Sequence, residues 1–297
     1  MTEKQADVLL LLGIAARSSS YLFAKIGLAT LEPWNLLGIR FTLAFGILCL
    51  LFYKRLSAMT KETWIASGLL GFVLFACMTC ETISLQTIDS SMAAFLENTA
   101  VLWVLCLEAL LFRRLPDKVV ILAALTIICG IFLLTMHGTV PSFSIGAAIC
   151  LTGSVFYAVW ILLTSKFARK LDPVLIGIFQ MGFIGLFSLG GSLFHGTLAL
   201  PTQPIEWEVI LALVLICSVF GFTLQPIAQK YTSAEKAGLF TAMNPLIAAF
   251  LGWSILAETL GTAQLVGGAL IIGSIIAVQL RQQHHTSSAD TQASSSH

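Results

Sequence analysis

Residues 119 to 134 read VVILAALTIICGIFLL, sixteen positions without a charged side chain. The run is continuous and predicts a helix that is apolar on every side. A strand of a membrane β-barrel would instead alternate between a lipid-facing and a lumen-facing side. Because lipid offers no hydrogen-bond partner to a free peptide group, a segment of this kind inside a bilayer has to be helical.

Nine further apolar stretches occur along the chain, and each is close to the roughly 20 residues that a helix needs to cross the hydrocarbon core. Only 10% of all residues are charged and 57% are hydrophobic, whereas a soluble domain has about 25% charged residues. We therefore predict an all-α membrane protein with ten transmembrane helices. The predicted spans are residues 6–28, 33–53, 64–87, 90–112, 118–137, 143–164, 173–194, 207–231, 234–256 and 262–281.

The basic residues fall on one side of these spans. Thirteen Lys and Arg lie on the side of the two termini, against Lys25 on the other side. This bias predicts that both termini are cytoplasmic and that the protein is a multi-pass protein of the inner (plasma) membrane. Since topology accounts for the basic residues, they do not indicate a nucleic-acid partner. The thirteen are Lys4, Lys54, Arg55, Lys61, Arg113, Arg114, Lys118, Lys166, Arg169, Lys170, Lys230, Lys236 and Arg281.

The two halves of the chain resemble each other at an offset of 140 to 145 residues. Leu31-Glu32-Pro33 precedes the second span as Leu171-Asp172-Pro173 precedes the seventh, and Trp64 opens the third span as Trp207 opens the eighth. Because five spans is an odd number, the second copy enters the membrane from the opposite face. Such inverted repeats are typical of secondary transporters with a site between the halves. We predict two five-helix repeats, residues 1–138 and 139–281, followed by a disordered cytoplasmic tail, residues 282–297.

Several short motifs occur in a characteristic order. They are Ser18-Ser19-Ser20 before Lys25, Pro33 before Arg40-Phe41, Thr241-Ala242-Met243-Asn244-Pro245 before Ala257-Glu258-Thr259-Leu260, and Gly267-Gly268-Ala269-Leu270-Ile271-Ile272-Gly273. In this order the chain resembles the EamA-type ten-helix exporters of the drug/metabolite transporter superfamily. The resemblance implies export of amino acids and other small metabolites, driven by a gradient rather than by ATP. Two departures from the family are Ala16-Arg17, where Trp-Gly is common, and Arg113, where the second half has Glu258.

Four charged residues, Arg17, Arg40, Glu81 and Glu97, lie deep within predicted spans, where a charge costs at least about 2.5–3.5 kcal/mol and usually marks function. Threading at about 1.5 Å per residue places Arg40, Glu81 and Glu97 at one level, with Arg17 slightly deeper. Such a cluster could bind a zwitterion, with Arg on its carboxylate and Glu on its ammonium group. Burial also favours the protonated carboxylic acid, which suits H⁺ as the coupling ion. The alternative is that the four residues only bridge helices.

Two further charges lie nearer to the span ends. Glu108 is expected to reach Arg113 or Arg114 by extending toward the interface, which is a structural role. Lys25 either extends to the outer interface in the same way or takes part in the site, as its place in the family motif implies.

The second half carries uncharged residues at the corresponding positions. The pairs are Tyr157 for Arg17, Gln180 for Arg40, Pro226 for Glu81 and Ala242 for Glu97. We therefore expect the first half to hold the polar end of a substrate and the second half to supply an apolar and aromatic wall. Candidate wall residues are Tyr157, Trp160, Phe179, Gln180, Phe222, Gln225 and Asn244.

The sequence favours a secondary active transporter, an exporter of small polar or amphiphilic metabolites such as amino acids, working by alternating access. The alternative is proton-coupled efflux of organic cations or drugs. A membrane enzyme or lipid-handling scaffold is less favoured, because the five His form no catalytic set. We predict no catalytic residue, cofactor or metal site, and we interpret the Cys77-x-x-Cys80 pair as packing. The expected partners are a small-molecule substrate and membrane lipid, and the oligomeric state is unknown from the sequence.

Overall fold

The computed structural model describes residues 1–88, 90–112, 118–135, 144–241, 243–247, 262–263, 265–274 and 276–277. Within these ranges the regular secondary structure is helical and contains no strand. The helices are α1 (Glu3–Ser18), α2 (Ser20–Gly27), α3 (Pro33–Leu51), α4 (Tyr53–Leu56), α5 (Lys61–Ser84), α6 (Ser90–Asn98), α7 (Ala100–Phe112), α8 (Lys118–Thr135), α9 (Ile145–Ala168), α10 (Pro173–Phe194), α11 (Pro204–Ala212), a π-helix (Leu213–Phe222), α12 (Thr223–Gln229) and α13 (Ala234–Thr241).

Six helical segments are long and apolar enough to cross a membrane. They coincide with the first three and the sixth to eighth predicted spans, which confirms a multi-pass helical membrane protein. Large apolar side chains such as Leu50, Leu110 and Phe194 are 75–89% exposed, as expected of a surface that faces lipid. The six segments are Glu3–Gly27, Pro33–Leu51, Lys61–Ser84, Ile145–Ala168, Pro173–Phe194 and Pro204–Gln229.

The other four predicted spans are described with less regularity or in part. The fourth consists of α6 and α7, which meet at Thr99, and the fifth is α8. The structure describes α13 at the start of the ninth span and the helix Leu265–Ser274 in the tenth. The predicted tail, residues 282–297, lies outside the described residues, as do Ala242 and Glu258.

The helices of the two halves pair in a repeating pattern. α5 packs along α9, and the π-helix and α12 pack along α1, so the third span of one half lies against the first span of the other half in both cases. The second spans, α3 and α10, pack against each other, and each begins with a proline at its first turn. This cross-pairing places the buried surfaces of the two halves face to face.

Glycines permit the closest approaches in this pattern. A Cβ atom at Gly13 would lie 3.1 Å from the carbonyl oxygen of Gly221, and one at Gly153 would lie 3.0 Å from Cys80 Cβ. Gly13 and Gly153 are separated by the sequence offset of 140 residues. A glycine at equivalent positions of the two halves therefore permits equivalent close contacts. Gly13 permits the contact between α1 and the π-helix, and Gly153 permits the contact between α9 and α5.

Local chemistry explains two irregularities in the spans. Between α1 and α2, Ser18 Oγ donates to Ile14 O (2.8 Å) and Ser19 Oγ donates to Ala16 O (2.9 Å), and such bonds to the preceding turn bend helices. In the eighth span, Pro226 has no N–H and its ring clashes with the carbonyl of residue 222. Residue 222 is where the π-helix ends. Both irregularities lie beside the site described below.

Polar contacts gather basic residues at the end of the bundle where α1 begins, which we call the basic end. Lys236 Nζ lies 2.6 Å from Asp7 Oδ2. Thr232 Oγ1 donates to Asp7 Oδ1 (3.4 Å), and Arg169 Nη2 donates to Thr232 O (3.2 Å). Residues from distant parts of the chain thus meet at one end, as the charge bias predicts for one side of the membrane.

Lys25 marks the opposite end, which we call the Lys25 end. Its Nζ donates to the backbone carbonyls of Leu85 (2.6 Å) and Ile88 (2.9 Å). These carbonyls follow the last turn of α5, where intrahelical N–H partners are missing. Lys25 therefore closes the end of α5 at this side of the bundle.

Candidate functional site

Arg17 lies at the end of α1 and is held by the second half of the chain. Its Nη1 donates to Tyr157 Oη (2.6 Å) on α9 and to Gln225 Oε1 (2.7 Å) on α12. Its guanidinium carbon lies 4.1 Å from the ring centroid of Phe222 and 5.0 Å from that of Tyr157, within cation–π range. The side chain is 6% exposed, so its charge depends on these neighbours for stabilisation.

Arg40 lies on α3, buried between the first span and the π-helix. Its Nε donates to Ser218 Oγ (2.8 Å) and its Nη1 donates to Ser20 Oγ (3.0 Å). Its guanidinium carbon lies 4.9 Å from the ring centroid of Phe41. Arg40 therefore has two hydroxyl acceptors but no direct carboxylate partner among the described residues.

Glu81 on α5 and Glu97 on α6 form a buried pair of carboxyl groups within hydrogen-bonding reach of each other. Tyr21 Oη also donates to Glu97 Oε2, and Cys77 Sγ lies 3.9 Å from Glu97 Oε1. A hydrogen bond between two carboxyl groups requires a proton on one of them. Two carboxyl groups this close can therefore hold one proton between them, beside the two arginines.

A small cavity separates the arginine side of this cluster from the glutamate side. Its volume is about 10 Å³, which is near the lower limit for one water molecule. Asn244 contributes to its wall, and its Oδ1 lies 2.9 Å from Ser18 Oγ. The site is therefore closed around its own side chains. The lining residues are Arg17, Ser20, Tyr21, Met78, Glu81, Phe222 and Asn244.

Three N–H donors at the cluster are buried and have no hydrogen-bond partner among the described residues. They are Arg17 Nε, Arg40 Nη2 and Gln225 Nε2. A buried polar group without a partner costs about 1–3 kcal/mol. All three groups need an acceptor, and none of them can accept in return. The site therefore has spare capacity for a group that brings oxygen acceptors.

Two predicted wall residues stand behind the cavity rather than on it. The Trp160 ring stacks on Tyr157, with centroids 5.7 Å apart, and meets Phe222 edge-on at 6.1 Å. Trp160 Nε1 donates to Gln180 Oε1 (3.0 Å). Trp160 and Gln180 thus support the rings that touch Arg17, which makes them candidates for positioning.

Two other predicted residues lie elsewhere, and these placements correct the sequence expectation. The Phe179 ring contacts Phe45 and Trp64, with centroids 5.7 and 5.4 Å away. Successive helix residues point about 100° apart, so Phe179 faces away when Gln180 is buried. Lys25 binds backbone carbonyls at its own end of the bundle and does not line the cavity.

Glu108 is half-buried on α7, and its expected partners, Arg113 and Arg114, lie outside the described residues.

Four polar residues in contact with the cluster are not among the residues that the sequence predicts for the site. Ser20 and Ser218 accept from Arg40, while Tyr21 and Cys77 approach Glu97. A signal was present for Tyr21, because residues four apart share one face of a helix and Tyr21 follows Arg17 by four. Uncharged polar residues carry little cost in a span, so the other three gave no comparable signal.

The helices and the buried site define a multi-pass membrane protein with a closed, charged cavity between its halves. The EamA-like transporter family matches this chain over residues 4–136 and 144–280. The chain belongs to that family, which confirms the resemblance drawn from its motifs.

Individual relatives of the chain are also named as transporters. The chain is 25% identical over 279 residues to an uncharacterized transporter of Archaeoglobus fulgidus, covering 93% of this chain and 86% of the relative. It is 23% identical over 292 residues to the uncharacterized transporter YetK of Bacillus subtilis, covering 94% and 88%. It is 27% identical over 251 residues to the uncharacterized inner membrane transporter YicL of Salmonella typhimurium, covering 79% and 80%. The chain is thus an inner-membrane transporter.

A solved crystal structure shares the fold. Its TM-score to this chain is 0.76, covering 95% of this chain and 98% of that chain at 18% identity. The two chains therefore have the same overall helical arrangement.

Proposed function

We propose that this transporter is a secondary active exporter of small metabolites that carry a carboxylate, such as amino acids. It has ten spans in two inverted five-helix repeats, with both termini in the cytoplasm, and works by alternating access. The observation that carries the proposal is the buried hydrogen bond from Arg17 to Tyr157, which joins the two halves at the wall of the cavity.

The repeat arrangement is supported by equivalent contacts in the two halves. Gly13 and Gly153 make matching close approaches, and the family matches each half of the chain separately. In transporters of this design the substrate site lies between the repeats near the middle of the membrane. The Arg17 cluster fits that position, since α1, α9, the π-helix and α12 all contribute to it.

The preference for a carboxylate rests on charge and on donors. When Glu81 and Glu97 share a proton, the two guanidinium groups outweigh the pair, and the three unpartnered N–H groups all need acceptors. A carboxylate supplies two acceptor oxygens and a negative charge, and charge-assisted bonds to Arg are about twice as strong as neutral ones. The expected seat of the carboxylate is between Arg17 and Arg40.

The glutamate pair suits the amino group of the substrate and a coupling proton. When an ammonium group binds beside Glu81, it favours two ionised carboxylates over one proton-sharing pair. Binding would then release the shared proton, and return of the proton would displace the substrate. A carrier with this linkage moves substrate and H⁺ in opposite directions.

The second candidate is efflux of organic cations in exchange for protons. The ring of Phe222 at the cavity and the rings of Tyr157 and Trp160 behind it favour it, since such rings attract cations. Arg17 and Arg40 oppose it, because a cation without a carboxylate would meet two like charges in a buried site. A zwitterion satisfies both sides of the cluster, so it is the preferred substrate.

A ligand screen separates the two candidates. Purified protein is tested by thermal unfolding against neutral amino acids, dicarboxylates, polyamines and quaternary amines. A ligand at 100 times its Kd stabilises the folded state by about 2.7 kcal/mol. We expect amino acids to raise the Tm and quaternary amines to leave it unchanged. The opposite pattern would establish the cation carrier instead.

Transport of the best ligand is then measured in proteoliposomes under an imposed proton gradient. We expect Glu97→Gln to abolish exchange, because the amide cannot take part in the proton step. Glu108→Gln is the matched control, a half-buried carboxylate on a neighbouring helix outside the cluster, and should transport normally. If both Glu97→Gln and Glu81→Gln still exchange substrate for protons, the proposal that these two carboxyl groups carry the coupling proton is wrong.

A further inference from the structure

At the basic end, four cationic side chains from three separate segments converge on one pocket. They are Arg55 after α3, Arg169 and Lys170 in the turn between α9 and α10, and Lys230 after α12. The pocket has a volume of about 490 Å³. We propose that this pocket binds the phosphate head group of an anionic phospholipid. This proposal does not depend on the transport function proposed above.

The charges in the pocket are unbalanced. Asp172 is the carboxylate in its lining, and that side chain is already engaged. Its Oδ1 accepts the N–H of Val174 (2.9 Å) and its Oδ2 lies 3.7 Å from Arg55 Nη1. Four cations and one carboxylate therefore line the pocket, and Glu108 on α7 acts electrostatically on Arg169 from outside the lining. Like charges held together repel one another, and a bound anion would remove that repulsion.

The two lysines carry most of the spare capacity. Neither Lys170 nor Lys230 has an ion-pair partner in the described part of the chain. Lys230 Nζ lies 5.8 Å from the ring centroid of its neighbour Tyr231. Arg169 uses Nη2 on the carbonyl of Thr232 (3.2 Å), and no bond from its Nε or Nη1 occurs among the described contacts. Arg and Lys together provide bidentate and point-charge contacts to phosphate.

The rest of the lining is apolar. Leu171, Pro173, Val174 and Ile227 form it together with Tyr231, which is 42% exposed. An apolar wall beside a cationic mouth matches a molecule with a charged head and hydrocarbon chains. The pocket also lies where three membrane segments end or begin, which is the depth of lipid head groups. A general excess of Lys and Arg on one side does not require this convergence on a single cavity.

The attraction comes from the side chains rather than from the start of α10. α10 begins with Pro173 in the wall of the pocket, but proline has no N–H and Asp172 Oδ1 already accepts the N–H of Val174. Basic pockets between membrane helices are known to bind anionic lipid head groups. Free phosphate offers the same chemistry, so the experiment has to separate the two sources.

The test measures lipid binding to the full-length protein by native mass spectrometry. Phosphatidylglycerol is compared with phosphatidylcholine, and inorganic phosphate is added in a separate arm. We expect saturable binding of phosphatidylglycerol at least about tenfold tighter than that of phosphatidylcholine, unaffected by millimolar phosphate. Equal binding of the two lipids would overturn the proposal. Binding of phosphate without a preference for phosphatidylglycerol would also overturn it, and would assign the pocket to a soluble ligand.

Variants locate the binding. Lys170→Gln combined with Lys230→Gln should remove the preference for phosphatidylglycerol. The matched control, Lys61→Gln combined with Lys166→Gln, removes two predicted same-side lysines that do not line the pocket and should keep it. If both double variants lost the preference for phosphatidylglycerol equally, the lipid would be attracted by the basic surface in general, and the proposal of a specific site would be wrong. Lys230→Arg retains the charge and should bind normally, which guards against a folding defect in the double variant.

Discussion

Arg17 and Tyr157 are equivalent residues of the two halves and are hydrogen-bonded to each other, 140 positions apart in the chain and 2.6 Å apart in space. In the proposed inverted repeat, equivalent positions are related by a twofold axis in the membrane plane. Two such residues can touch only if both lie beside that axis. The contact therefore coincides with the place where the halves would move against each other in the proposed alternating access.

Variants of the two partners should show that Arg17 and Tyr157 are energetically coupled. Tyr157→Phe leaves a buried guanidinium N–H without its acceptor, which should lower the free energy of unfolding by about 1–3 kcal/mol. Arg17→Met should also destabilise, but the double variant should cost less than the sum, because no charged group is left unpartnered. Thermal or denaturant unfolding of the three purified variants measures the coupling. Strict additivity would mean that the hydrogen bond contributes nothing.

The glutamate pair predicts how substrate affinity depends on pH. If substrate binding displaces one shared proton, rising pH favours the bound state, and the apparent affinity should improve by up to about tenfold per pH unit. Falling pH should weaken binding by the same factor. Glu81→Gln should flatten this dependence, whereas Glu108→Gln should leave it unchanged. Titrations of the thermal shift at several pH values provide the measurement, and an unaltered slope in Glu81→Gln would contradict the shared proton.

The depth of the charged cluster was predictable from sequence. A helix rises about 1.5 Å per residue, so counting from the span ends already places Arg17, Arg40, Glu81 and Glu97 at similar levels. The structure brings all four into one buried cluster. The cost of a charge in lipid is large enough to make such residues stand out in the sequence.

The rotation of each helix was not predictable in the same way. The sequence predicts both Phe179 and Gln180 for the wall, but only Gln180 faces inward, because neighbouring residues point about 100° apart around the helix axis. The contacts of Ser218 and Cys77 also depend on rotation, which packing between the halves decides. The closeness of Glu81 and Glu97 depends on rotation as well, and the sequence does not reveal that they are near enough to share a proton.

An ionic contact should hold the basic end closed. Lys236 is 5% exposed and bonds to Asp7 (2.6 Å) and Glu3 (3.0 Å), which lie one turn apart on α1. Lys236→Met removes both pairs between the first and ninth spans. We expect this variant to open more often toward the basic end, and the exposed Lys4→Met to behave as the wild type.

The buried Cys77 can report that opening. Its Sγ lies 3.9 Å from Glu97 Oε1, so a water-soluble thiol reagent reaches it only through an open site. The other six of the seven free cysteines are first replaced by Ala. Labelling in inside-out vesicles should be several-fold faster in Lys236→Met than in the parent protein. Equal rates in Lys236→Met, Lys4→Met and the parent would show that the ion pairs do not restrain the gate.

The contact between α3 and α10 supplies a paired test of helix packing. A Cβ atom at Gly185 would lie 2.9 Å from the backbone nitrogen of Thr42, which cannot move independently of α3. A Cβ at Gly190 would meet no atom of the described residues within 4 Å. Both glycines belong to α10. Overpacking of this kind costs about 1–3 kcal/mol, so Gly185→Ala should lower the Tm and reduce transport.

Gly190→Ala should raise the Tm, whereas Gly185→Ala lowers it. Alanine stabilises a helix interior by about 0.5–1 kcal/mol relative to glycine, and open space at position 190 leaves that gain uncompensated. Thermal unfolding of the two variants in the same detergent measures the difference directly. A Tm for Gly185→Ala equal to or above that of Gly190→Ala would mean that α3 and α10 are not in the close contact on which the cross-pairing of the two halves depends.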